Sequence, residues 1–182
     1  MSERDFIFKI CICGDFAVGK TSLIKQYIEK QFEKEYKPTL GCDLFRSDIN
    51  IEHGTKKIHC RLVFWDIAGQ EKYLQVRPLY FQGCRGALLI YDITRQETFK
   101  NISDSWLKDF KGNVREDTSY ILIGNKMDLE ESRLISTDKG KDLATKINAT
   151  KFIETSAKTG DKVKEAFKSL VLAILKQFGE IR

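Results

Sequence analysis

The chain has 182 residues, 42% of them hydrophobic, with 31 basic against 26 acidic side chains and a net charge of +5. One domain of that length can bury a substantial core without disulfides or a structural metal, and no apolar stretch approaches a membrane span. Five cysteines, at 11, 13, 42, 60 and 84, form no Cys-x-x-Cys pair, which argues against a disulfide framework or zinc knuckle and for reduced, cytosolic thiols.

The first apolar run, Phe6 to Cys13, reads as a strand that buries Cys11 and Cys13. It leads into Gly14-Asp15-Phe16-Ala17-Val18-Gly19-Lys20-Thr21, and a Gly-x-x-x-x-Gly-Lys-Thr between strand and helix is a phosphate-binding loop. Gly14 and Gly19 let successive backbone N–H groups point at an anion, and the positive end of the helix beginning near Lys20 adds to the attraction. Lys20 should reach the β- and γ-phosphates and the Thr21 hydroxyl should ligate magnesium, with Phe16, Ala17, Val18, Gly19 and Ser22 completing the phosphate seat. Strands Leu44 to Glu52 and Ile58 to Trp65 flank a turn at Gly54-Thr55, predicting an antiparallel hairpin at a sheet edge. His53 and His59 flank that turn and carry no metal signature. Asp66 closes the second of these strands, where its carboxylate can hold magnesium through water.

Further strands are expected at Gly86 to Tyr91, Tyr120 to Gly124 and Lys151 to Glu154, alternating with helices. Thr94-Arg95-Gln96-Glu97 has the form of a capping box before a helix bearing Phe99, Ile102, Trp106, Leu107 and Phe110. Ser136-Thr137-Asp138 should start another helix over Leu143, Ala144 and Ile147. The last helix carries an apolar stripe from Val163 to Phe178, while its lysines, interspersed with acids and lacking an arginine-aromatic pattern, read as a solvated face rather than a nucleic-acid surface. The pattern predicts an α/β fold: one domain, residues 1–182, with a six-stranded, mostly parallel sheet, one antiparallel edge hairpin and helices on both faces.

Asn125-Lys126-Met127-Asp128 follows a strand and so sits on the ligand side of an open sheet. An ionised Asp128 accepts from the N1–H and exocyclic amine of guanine, and the Ala157 N–H within Ser156-Ala157-Lys158 suits guanine O6. Adenine offers neither match, and unpaired polar groups of this kind reject a wrong substrate by about four to five orders of magnitude.

With these elements in order, the sequence resembles the Ras superfamily of small GTPases, most closely its Rab branch. The Rab-like residues are Tyr36-Lys37-Pro38-Thr39-Leu40-Gly41-Cys42-Asp43, Trp65 through Tyr73, and Leu89-Ile90-Tyr91-Asp92-Ile93-Thr94. The resemblance implies a switch that binds GTP or GDP with magnesium, hydrolyses GTP slowly and binds effectors in the GTP state, in membrane trafficking or signalling. It implies that Thr39 ligates magnesium and touches the γ-phosphate, Gly69 supplies a second γ-phosphate contact, and Gln70 orients the attacking water. Phe32 would pack on the base edge, Tyr36 cover the phosphates, the Lys126 stem lie along the base, and Ser156 brace the base-reading loop. An exchange factor, a GTPase-activating protein and effectors would meet a monomer around Thr39 and Gln70.

Two departures qualify the comparison. Phe16 stands where the family carries a small residue, so a crowded γ-phosphate site with slow or absent hydrolysis is one reading, and a ring that turns to solvent or packs on the switches without effect is the other. No lipid site is visible in the sequence given, which reads Gly179-Glu180-Ile181-Arg182 directly after the last helix. A cytoplasmic protein is expected, peripheral to a membrane if a lipidated tail continues beyond this sequence.

Overall fold

The computed structural model describes residues 3–30 and 39–181. Within them a six-stranded sheet runs in the order β2-β3-β1-β4-β5-β6. The strands are β1 (Glu3–Cys13), β2 (Cys42–His53), β3 (Lys56–Ile67), β4 (Gly86–Asp92), β5 (Ser119–Asn125) and β6 (Lys151–Thr155). β2 and β3 pair antiparallel at the edge and the other neighbours pair in parallel, as the apolar runs and the turn at Gly54 predict. Gly54 takes a left-handed φ of 59°, which a tight hairpin turn requires.

The helices are α1 (Lys20–Glu29), α2 (Arg77–Phe81), α3 (Gln96–Asn101), α4 (Leu107–Lys111), α5 (Thr137–Lys146) and α6 (Val163–Gln177). The sheet separates two cores. On one face Leu23 and Ile24 of α1 and Phe167, Leu170 and Ile174 of α6 pack on Phe8, Ile10, Leu62 and Phe64. On the other, Phe81, Ile102, Trp106, Phe110 and Leu143 cover Cys11, Leu89, Tyr91 and Leu122. β4 is buried at every position, as a central parallel strand covered on both faces must be.

Ser136 caps α5 as expected, its hydroxyl accepting from the Lys139 N–H. Two local expectations fail. α3 begins at Gln96 with Arg95 as N-cap, so the Thr94 capping box does not form. The Thr94 hydroxyl donates instead to Asp92 Oδ1 at 2.7 Å, because a buried carboxylate at the end of β4 outcompetes a solvent-side helix end. Phe178 leaves the buried stripe of α6 and is 44% exposed, its ring lying beside Phe6 and Phe8 at the rim of the core. Between α3 and α4 the helix widens into a π turn, Ile102–Trp106.

Candidate functional site

Four segments meet at the carboxyl end of the central strands. The loop after β1 wraps around the head of Lys20, whose Nζ donates to the carbonyls of Gly14 and Asp15 at 2.8 Å each. Burial lowers the Lys20 ammonium to about 8, against the upward pull of Asp66. Gly14 and Gly19 have φ of 145° and 100°, and a Cβ on either would lie 2.2 Å from the Ile90 carbonyl oxygen or 2.3 Å from Asn125 Nδ2. Ala17 is also left-handed, at 58°, a conformation that patterning gave no reason to expect of a residue with a Cβ. Val18 is buried, Gly19 is the N-cap of α1, and Thr21 and Ser22 follow in its first turn, half-buried.

Thr21, Thr39 and Asp66 converge although they come from α1, the segment before β2 and the end of β3. The Thr21 hydroxyl donates to Asp66 Oδ2, Thr39 Oγ1 lies 3.3 Å from Thr21 Oγ1, and it donates to Asp66 Oδ2 at 3.4 Å. Asp66 is fully buried and its Oδ1 has no hydrogen-bond partner among the described residues. Burial raises the Asp66 carboxyl, while Lys20 and the Thr21 hydroxyl pull it down. One carboxylate, with a spare buried oxygen, and two hydroxyls are hard oxygen donors. They suit magnesium, which keeps several waters and borrows phosphate oxygens rather than demanding a full protein cage.

The residues expected from sequence to read the base form a second cluster. Asn125, 1% exposed, donates from Nδ2 to the Val18 carbonyl at 2.8 Å and accepts at Oδ1 from Thr155 Oγ1 at 3.1 Å and the Ala157 N–H at 3.2 Å. The N–H assigned from sequence to guanine O6 is thus directed at Asn125 here, at a long distance. Ser156, fully buried, donates to Asp128 Oδ1 at 2.6 Å and so braces the acceptor. Lys158 Nζ lies 4.0 Å from Asp128 Oδ2. Lys126 has a left-handed φ of 72°, and its Nζ pairs with Asp92 Oδ2 at 2.7 Å. Burial alone would raise the Asp92 carboxyl, but hydrogen bonds from Lys126 and Thr94 hold it below the usual carboxylate range.

Gly69 lies against the phosphate loop so closely that a Cβ there would be 2.3 Å from Asp15 C and Phe16 N. Gln70, half-buried, precedes a single 3-10 turn at Glu71–Tyr73. Phe16 is 41% exposed and its carbonyl accepts from Arg95 Nη2 at 2.6 Å. Phe32 and Tyr36 lie outside the described residues. Asp92 and Arg95 went unassigned in the sequence, although an acid closing the apolar run Gly86 to Tyr91 at the ligand end was the available signal.

The model of the Ras family matches residues 9–176. The chain is 41% identical to the Ras-related protein RABA6b of Arabidopsis thaliana over 93% of this chain and 71% of that one. It is 40% identical to the Ras-related protein Rab-2B of Dictyostelium discoideum over 97% and 84%, and 35% identical to the Ras-related protein Rab-1 of Theileria parva over 96% and 77%. The Lys20, Asp66 and Asn125 clusters thus sit on a scaffold whose sequence matches over nearly its whole length, and the chain belongs to the Ras family as a Rab-like small GTPase.

Proposed function

We propose that the described cluster is the GTP site and that this single G domain acts as a switch whose GTP form binds effectors. The convergence of Thr21, Thr39 and Asp66 beside the buried Lys20 is the observation that carries the reading. Lys20 exchanges two carbonyl acceptors for phosphate oxygens, and the backbone from Phe16 to Ser22 lines the phosphates. Thr21, Thr39 and Asp66 hold magnesium, which supplies positive charge against the phosphate oxygens when bound. Asp128 accepts from the guanine N1–H and amine, the long Ala157 to Asn125 bond leaves that N–H able to share itself with O6, and the Lys126 stem and Lys158 flank the base. Gln70 orients the attacking water and Gly69 gives a backbone donor to the γ-phosphate. Phe32 and Tyr36 are assigned to base and phosphates by resemblance alone. Hydrolysis frees Thr39 and Gly69 together, so an exchange factor, an activating protein and effectors meet this surface.

The protein works as a monomer, in the cytoplasm or peripheral to a membrane, in trafficking or signalling; no helix among the described residues is long and apolar enough to cross a membrane. A non-hydrolysing guanine-nucleotide module finds no support among the Rab-type relatives, and the 41% exposure of Phe16 fits a ring that turns to solvent or packs on the switches without blocking the site. The test is titration with fluorescent GTP, GDP and ATP together with Asp128→Ala. Guanine selectivity of about four orders of magnitude, lost in the variant, is expected; comparable ATP affinity in the unsubstituted protein would overturn the site.

A further inference from the structure

Asp15 stands inside the phosphate loop, yet its carboxylate is held from outside it. Oδ2 accepts from Asn101 Nδ2 and Oδ1 from Trp106 Nε1, each at 2.7 Å. Asn101 and Trp106 are five residues apart, and on an α-helix of 3.6 residues per turn such side chains diverge by about 140°. The π turn Ile102–Trp106 brings positions i and i+5 onto one face, so both can reach one carboxylate, as such turns do at functional sites.

The chain of contacts continues. The Arg77 guanidinium lies 3.6 Å from the centre of the Trp106 ring. Arg77 is 2% exposed, is fixed by Asp109 Oδ2 at 3.0 Å and Ser105 Oγ at 3.4 Å, and opens α2. Its Nε is buried without a hydrogen-bond partner among the described residues, so the indole face and these two acceptors are what hold it. Gly69, at the other end of the same segment, packs on the Asp15 backbone. Between the two ends Glu71, Lys72, Leu74, Gln75 and Val76 are exposed. The segment carrying Gln70 is therefore suspended between two anchors that both refer to Asp15, one through its backbone and one through Trp106 and Arg77.

We infer that Trp106 is a positioning residue that couples the phosphate loop to the second switch segment, through Asp15 on one side and Arg77 on the other. The inference rests on the GTP site proposed above. Occupation of the phosphate loop fixes Asp15, and the indole passes that constraint to the start of α2, so that Gln70 is held from behind as well as from in front.

Trp65 and Trp106 are the two tryptophans of the chain, so a Trp65→Phe background isolates Trp106 emission. Emission should differ between the GDP form and the form bound to a non-hydrolysable GTP analogue, and the difference should vanish in Asp15→Ala. Trp106→Phe, which keeps a ring for Arg77 but deletes the N–H, should slow single-turnover GTP hydrolysis about tenfold while GDP affinity stays within about threefold. Asp15→Asn, which keeps an acceptor for the indole, should recover most of the rate lost in Asp15→Ala. Identical emission in both nucleotide forms, or wild-type hydrolysis in Trp106→Phe, overturns the coupling. Failure of the unsubstituted protein to bind GTP is a separate result, which overturns the site beneath it.

Discussion

Replacing Gly69 with alanine would place a Cβ 2.3 Å from the Asp15 carbonyl carbon and the Phe16 amide nitrogen, and 2.7 Å from the Asp15 carbonyl oxygen. Nonbonded heavy atoms rest at about 3.5–4.0 Å, so the two backbones must separate by about 1.2 Å or more. Neither partner is the tip of a flexible side chain, and the phosphate loop is anchored by Lys20 and by Asn125 on Val18. The segment carrying Gln70 therefore yields. A displacement of about 1 Å between a positioning group and the reacting atoms can slow a reaction roughly a hundredfold, and that is the expected loss in Gly69→Ala. Folding stability should change by less than about 1 kcal/mol, because the residues that follow are mostly exposed and bury little. Phosphate release in a single turnover reads the first effect and thermal unfolding the second. Hydrolysis within about threefold of wild type would refute the argument that this contact holds Gln70 in place.

Asn125→Ala removes the partner of the Val18 carbonyl, the Thr155 hydroxyl and the Ala157 N–H in a site that is 1% exposed; it should lower stability by about 2–4 kcal/mol in urea titrations and speed GDP release. Phe16→Gly should leave intrinsic GTP hydrolysis within about threefold, since the residue is 41% exposed; an acceleration of about tenfold or more, measured in a single turnover, would place the ring over the γ-phosphate. Asp92 titrates below the usual carboxylate range, so its contribution to stability is complete above the unfolded carboxylate value near pH 4 and is lost as pH falls through its lower folded value. Unfolding midpoints of wild type and Asp92→Ala should accordingly differ most at neutral pH and converge in acid. Chelating magnesium should speed GDP release, and Asp66→Ala, which removes the one carboxylate of the metal set, should abolish that sensitivity to chelator.

All six strands were legible to within three residues at either end: the buried parallel strands are continuous apolar runs, and the half-exposed edge strand β2 was marked by the turn at Gly54 that pairs it with β3. The gathering of the predicted site residues at one end of the sheet was legible too, because loops at the carboxyl ends of strands are where an open α/β sheet puts its ligand. Contacts joining distant parts of the chain were not. Asp15 and Trp106 are 91 residues apart, and Arg95 and the Phe16 carbonyl 79, so no local period could announce them. Thr94 and Glu97 satisfied a local helix-start pattern, but the pattern could not register that Asp92 would be buried within reach of the threonine. Phe178 kept the helical period, but α6 ends at Gln177 and the ring, one residue past it, lies half-exposed beside Phe6 and Phe8.

The antiparallel ribbon of β2 and β3 sets a radius of motion. Its register runs to Cys42 opposite Ile67, and one bond more, from the Ala68 N–H to the Gly41 carbonyl at 2.9 Å, closes its end. Thr39 stands two residues outside that bond and Gly69 one residue outside it. At about 3.5 Å per extended residue, Thr39 can lie no farther than roughly 7 Å from Gly41 and Gly69 roughly 3.5 Å from Ala68, unless the ribbon itself unzips. The side of each switch that faces the hairpin is thus a short tether, and any partner that finds these two residues farther than that from the ribbon's last bond has opened the sheet edge.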